Sequence, residues 1–207
     1  MIVLRVSLIL EVVTFVKKIE RKVIKNMISL LQNIDNSILL FIKNNMHGNI
    51  MDKAMVIITS LGNGGAIWII IAALLMINKK YRKIGFMALC ALILSTILGE
   101  GILKHVVQRI RPSADIPVIN MLITKPLSYS FPSGHTASSF AVAGVMAKYF
   151  KKYAAGFLGL ASLIAFSRLY LYVHYPTDVL AGIILGLICS GIIIYMFSKN
   201  CFSKNIL

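Results

Sequence analysis

Three short segments hold most of the reactive side chains in an otherwise apolar chain. The first is Lys104 and, after six residues, Arg111-Pro112; the second is Pro132-Ser133-Gly134-His135. The third is Ser167-Arg168, then His174 after five residues and Asp178 after three more. Each component suits a phosphate. Lys104, Arg111 and Arg168 supply three cations, and arginine forks match phosphoryl oxygens two at a time. Ser133 and Gly134 precede a predicted helix, whose leading N–H groups and positive end can hold an anion. Gly134 permits close backbone approach, and Ser133 can cap the helix or donate to the anion. Between His174 and Asp178 lies Pro176, a predicted helix start. A carboxylate on one imidazole nitrogen fixes the tautomer and leaves the other a better nucleophile. His135 remains as the acid that protonates a departing oxygen.

Each of these residues has a bland reading when taken alone. A single arginine at the end of a span snorkels, a single histidine satisfies a hydrogen bond, and Pro-Ser-Gly is an ordinary turn. Together they point to function, because ionisable groups at the edge of a hydrocarbon layer are costly to keep. His135, His174 and Asp178 are also conceivable metal ligands. Three cations converging on the same place would repel a divalent ion, so neither metal nor cofactor is expected.

The elements that must position these residues are membrane helices. Hydrophobic residues make up 58% of the 207 and charged residues only 14%, with a mean hydropathy of +0.83. A soluble domain carries roughly 25% charge, so a soluble monomer and a disordered chain are both excluded. The three cysteines give no disulfide framework: Cys90 and Cys189 fall in apolar runs and Cys201 in a polar tail. Residues 54–77 run 24 positions without a charge, enough to cross the hydrocarbon core. Further spans are expected at 84–103, 136–150, 153–173 and 178–197. The third is short and rich in Ala, Ser and Gly, so it should pack among the others. Gly182 and Gly186 should let the last helix approach a neighbour closely. The expected fold is an all-α, polytopic bundle of five transmembrane helices, with a short amphipathic or membrane helix before them. No segment alternates with period two, which argues against a β-barrel.

The formal charge of +15 divides along this frame. Lys79, Lys80, Arg82, Lys83, Lys148, Lys151, Lys152, Lys199 and Lys204 lie in loops that alternation places on one side. By the positive-inside rule that side is cytoplasmic. Lys104, Arg111 and Arg168, with Arg109 and Lys125 as helpers, lie on the other face, where orientation does not explain them. A membrane partner therefore replaces nucleic acid as the meaning of the charge. Glu100 stands one helical turn before Lys104, spaced to pair with it.

The three segments resemble the signature of the type 2 phosphatidic acid phosphatase (PAP2) superfamily, K-x6-R-P, P-S-G-H and S-R-x5-H-x3-D, at every position. The resemblance covers 104–178 directly and implies a PAP2/haloperoxidase-like core, in the bacterial integral-membrane branch. It implies that His174 attacks phosphorus to form a phosphohistidine, with Asp178 orienting it and His135 as acid and then base. It also implies that Lys104, Arg111, Ser133, Gly134 and Arg168 bind the phosphoryl group without a metal. Vanadium haloperoxidases share the signature but are soluble, which the five expected spans disfavour.

The chain is expected to divide into an unassigned extension, 1–26, and a phosphatase domain, 27–207. Met1–Val16 is apolar yet contains Arg5 and Glu11 and lacks a cleavage site, so a signal peptide is not expected. Lys17, Lys18, Arg21, Lys22 and Lys25 would stand on the wrong side if Met1–Val16 crossed, and translation from Met27 would remove the conflict. Residues 28–42 form one apolar face, suited to lying in the outer interface. The resemblance implies a lipid phosphate or diphosphate substrate at the extracytoplasmic face of the plasma membrane, with undecaprenyl diphosphate first. Phosphatidate and phosphatidylglycerol phosphate are the alternatives, selected by loop 113–130. The rival of another class is a non-enzymatic anion-binding or transport protein, which would be expected to show an internal repeat of broken helices.

Overall fold

The computed structural model describes residues 2–114, 116–117 and 121–198, and of these the side chains of 18–20 and from 22 onward. The expectations resting on Arg5, Glu11, Lys17, Arg21, Lys199, Cys201 and Lys204 lie outside the described residues or side chains. The backbone divides into two units, 1–38 and 39–207. The first contributes most of helix α1 (Ile2–Asn45), so the apolar face at 28–42 belongs to a longer helix than its periodicity suggests.

The second unit is helical, with no strand among the described residues. After α1 come α2 (Asn49–Leu61), α3 (Ala66–Ile77), α4 (Arg82–Thr96) and the four-residue α5 (Lys104–Val107). Then follow α6 (Gly134–Tyr149), α7 (Ala154–Tyr170) and α8 (Pro176–Ser198). Three stretches are long and apolar enough to cross a membrane: Arg82–Val107, Lys151–Tyr170 and Pro176–Ser198. The chain is a multi-pass membrane protein.

The expected unbroken span over 54–77 is corrected. It is two helices bent by 48° at Gly62–Gly65, where a 3-10 turn over Asn63–Gly65 intervenes. Gly64 and Gly65 take φ of +58° and +73°, left-handed values that favour glycine, so the α-helix cannot run through them. Inside the next span, Ile97–Leu103 winds as a π-helix immediately before Lys104. Such widened turns often occur at functional sites.

Helix α6 is the axis of the bundle and packs against α4, α7 and α8. Its small residues explain this. Ala137, Ser139, Ala141, Ala143, Val145 and Met146 are all buried, on every side of the helix, as a polar-poor helix with no broad outer face must be. At 16 residues, α6 is shorter than the roughly 20 that usually cross a bilayer. Helix α8 closes on it at the expected glycines: a Cβ at Gly186 would come within 2.5 Å of the Ala137 carbonyl oxygen. Trp68 of α3 donates to Ser139 Oγ at 2.8 Å, tying the broken pair to the same axis.

Candidate active site

All eight residues read from sequence are among those the fold gathers at one end of α6. A cavity of about 820 Å³ is lined there by Lys104, Arg111, Arg168, Gly134, His135 and His174. Its lining also includes the apolar residues Val56, Leu92 and Leu122. Ser133 and Asp178 stand behind this wall, both fully buried.

The cations are aimed by neighbouring oxygens. Arg111 donates from Nε to the Ser128 carbonyl at 2.7 Å and from Nη2 to Ser128 Oγ at 3.0 Å. Its Nη1 donates to the Val173 carbonyl and to His174 Nε2, both at 2.9 Å. Lys104 donates to Glu100 Oε2 at 2.7 Å and Ser128 Oγ at 3.2 Å, so the expected pairing at four residues' spacing is present. Arg168 donates from Nη1 to Thr59 Oγ1 at 2.5 Å, while its buried Nε has no protein partner. Arg168 also lines the cavity, and a buried N–H without an acceptor is costly.

His174 lies in the five-residue connection between α7 and α8 and is 2% exposed. Arginine is always a donor, so Nε2 accepts from Arg111 and the ring proton sits on Nδ1. Burial, reinforced by the charges of Arg111 and Arg168 against the counter-effect of Asp178, pushes this imidazole down to about 3. The ring is therefore neutral, with its Nε2 lone pair held by Arg111 Nη1–H in the wall of the cavity.

Two expectations change here. Nδ1 of His174 lies 3.7 Å from Asp178 Oδ2, an ion-pair distance too long for a hydrogen bond. The carboxylate is instead held by others. Oδ1 accepts from Arg109 Nη1 at 2.7 Å, and Oδ2 from Ser130 Oγ at 2.5 Å and Tyr175 N–H at 2.9 Å. Arg109, expected only as a helper, also lies 3.9 Å from the Tyr175 ring centre. It fixes the carboxylate and does not line the cavity. Ser133 occupies the N-cap position of α6 without making a side-chain cap; its Oγ accepts from Thr136 Oγ1 at 2.9 Å. Its N–H donates to the Asp178 carbonyl oxygen at 3.1 Å, stitching the start of α6 to α8. Lys125, the other helper, donates to the Ala114 and Ile116 carbonyls and lines the cavity.

The model of the PAP2 superfamily matches residues 85–202, more than half of the chain. The chain belongs to the PAP2 superfamily. All three family segments, 104–178, lie inside the match. An undecaprenyl-diphosphatase of Sulfolobus acidocaldarius is 37% identical over 122 residues, which are 58% of each chain. A lipid A 4'-phosphatase of Bacteroides thetaiotaomicron is 32% identical, over 77% of this chain and 75% of that one. Among solved structures, a transmembrane PAP2-type phosphatidylglycerolphosphate phosphatase from Bacillus subtilis superposes with a TM-score of 0.68 at 27% identity. It covers 82% of this chain and 87% of that one. The chain spans less than two thirds of the length of several curated relatives that it matches.

Residues outside the family signature also shape the site: Thr59, Asn63, Ser128 and Ser130. The signal for Asn63 was the glycine cluster Gly62-Asn63-Gly64-Gly65 inside an apolar run, a mark of a broken helix. Ser128 and Ser130 carried none, being two serines in a loop. Among the described residues no three His, Cys, Asp or Glu side chains gather as a metal-ligand set.

Gly134 gives a sharp test of the cradle. A Cβ there would collide with Glu100 Oε1, on the carboxylate whose other oxygen holds Lys104. Glutamate is flexible, so Gly134→Ala should fold with an unchanged melting temperature while Lys104 is displaced. Affinity for inorganic phosphate, read by calorimetry, is expected to fall about tenfold, near 1.4 kcal/mol. Unaltered affinity would separate Gly134 from the anion site.

Proposed function

We propose that this chain is a metal-independent membrane phosphatase that hydrolyses a lipid phosphate or diphosphate through a phosphohistidine. The observation that carries the proposal is the neutral Nε2 of His174 beside Arg111, facing a cavity shared with Lys104 and Arg168. In the first step Nε2 forms a bond to phosphorus as the bond to the leaving oxygen breaks, and His135 gives that oxygen a proton. Water then attacks phosphorus, the N–P bond breaks, and His135 takes the water's proton. Lys104, Arg111, Arg168 and the N–H groups that open α6 from Gly134 onward hold the phosphoryl oxygens while charge redistributes, with Ser133 fixing the start of that helix.

The domain proposed to do this is 27–207, with five spans and the site facing outside the cytoplasm. In this arrangement α2 and α3 form one broken span, and the linkers holding Lys79–Lys83 and Lys148–Lys152 face the cytoplasm. The apolar residues in the cavity lining, Val56, Leu92 and Leu122, suit an acyl or prenyl tail. Undecaprenyl diphosphate is the first substrate, supported by the relative of that activity; the structural neighbour favours phosphatidylglycerol phosphate as the second.

Purified protein in right-side-out sealed vesicles, with EDTA present, tests the whole reading. External undecaprenyl diphosphate, phosphatidylglycerol phosphate and phosphatidate are supplied in turn and phosphate release is measured. Release without permeabilisation, fastest from undecaprenyl diphosphate by about tenfold in kcat/KM, is expected. No release from any of the three, with phosphate still bound, would favour an anion-binding protein instead.

A further inference from the structure

The break between α2 and α3 reaches the candidate acid. Asn63 Oδ1 lies 2.9 Å from His135 Nε2, although the residues are 72 positions apart. The backbone around it is fixed close to the ring. A Cβ at Gly62 would come within 2.8 Å of His135 Cδ2 and 2.9 Å of Ile164 Cγ2, and one at Gly65 within 2.9 Å of Leu92 Cδ1. The left-handed Gly64 and Gly65 turn the chain back into α3 directly after Asn63. One turn earlier, Thr59 on α2 accepts the hydrogen bond from Arg168. The broken pair thus supplies oxygen partners to two members of the site, none of them in the family signature.

We propose that Asn63 is a positioning residue that commits His135 to acid–base work at Nδ1. The inference rests on the phosphatase reading above. An amide oxygen only accepts, so Nε2 keeps its hydrogen in both charge states of the ring. Nδ1 is then the one nitrogen that changes. As the imidazolium it gives its proton to the leaving oxygen while the P–O bond breaks; as the neutral ring it takes the proton of the attacking water. The hydrogen held by Asn63 never leaves Nε2, and the fixed ring presents Nδ1 in one orientation for both steps. A second layer of this kind is typical of sites in which an outer acceptor selects the tautomer.

The test uses full-length protein and three variants, Asn63→Ala, Asn63→Leu and Asn63→Asp, with melting curves to confirm folding. General acid catalysis contributes about 10²–10⁴-fold, and most for poor leaving groups. On phosphatidate, an alkyl phosphate, Asn63→Ala and Asn63→Leu should therefore lose roughly 10- to 100-fold in kcat/KM. On p-nitrophenyl phosphate, whose leaving group needs no proton, the loss should stay below about threefold. Asn63→Asp, still an acceptor, should recover phosphatidate turnover and move the limb of the pH profile due to His135 upward, since a carboxylate favours the imidazolium. The other charges facing that ring, Lys104, Arg111, Arg168, Glu100 and the nearby His174, are the same in every variant. Equal losses on both substrates, or no recovery by Asn63→Asp, would overturn the role. Nitrogen-15 shifts of the His135 ring, assigned with His135→Asn, read the tautomer without any turnover. A proton on Nε2 at neutral pH supports the proposal and one on Nδ1 alone defeats it, even if the wild type releases no phosphate and the phosphatase reading falls.

Discussion

His174→Ala is expected to reduce lipid phosphate turnover by about 10⁴-fold or more, the scale on which removing an attacking side chain acts. No other side chain replaces Nε2 in the proposed route, so the covalent intermediate cannot form. The imidazole is neutral down to about pH 3, because burial and two guanidinium charges oppose protonation, and its lone pair is therefore present at every physiological pH. The substitution should leave the surroundings standing. Arg111 keeps its bonds to Ser128 and to the Val173 carbonyl, so phosphate should still bind. Rapid quenching of wild type with phosphorus-32-labelled substrate should trap an acid-labile, alkali-stable phosphoprotein, and the variant should show none. Turnover by the variant above about 1% of wild type would remove His174 as the nucleophile.

Asp178→Asn is expected to lower kcat by about 10³-fold while KM moves little, by analogy with buried carboxylates that support an imidazole elsewhere. The amide keeps the shape but loses the negative charge 3.7 Å from His174 Nδ1. That charge stabilises the ring as positive charge develops on it during attack, and the ion-pair distance can close to a hydrogen bond with substrate in place. The same substitution leaves Arg109 facing a neutral group at a fully buried position, and an asparagine nitrogen cannot accept from Ser130 or Tyr175. A stability loss of about 1–3 kcal/mol should accompany the kinetic defect. Melting curves and kinetics taken together separate the two. A variant that loses stability but keeps kcat would make Asp178 a structural anchor for Arg109 and nothing more.

Much of the site was legible because its residues come in short, fixed spacings. His174 and Asp178 are one helical turn apart, and Ser133-Gly134-His135 opens a helix. The alternation of apolar runs was enough to bring these segments to one end of the bundle. The small residues of 136–150 announced a helix buried on all sides, and α6 is that helix. Other features were outweighed by a stronger pattern or had no local signature. The continuous hydropathy of 54–77 outweighs its glycine cluster, although the bend rests on two left-handed glycines within it. The 3.7 Å gap between His174 and Asp178 could not be foreseen either, because Arg109, Ser130 and Tyr175 draw the carboxylate to themselves.

Residue identity and near spacing thus determined the family and the helical, membrane-borne character of the chain and pointed to a class of chemistry, since these follow from charge, hydropathy and intervals within a helical turn or two. Which outer residues aim the reactive groups was settled only on folding. Thr59 meets Arg168 across 109 positions, Asn63 meets His135 across 72 and Arg109 meets Asp178 across 69. Such pairs are set by how the broken helix and the outer loop pack against the end of α6, and packing over those separations leaves no periodic trace in the chain.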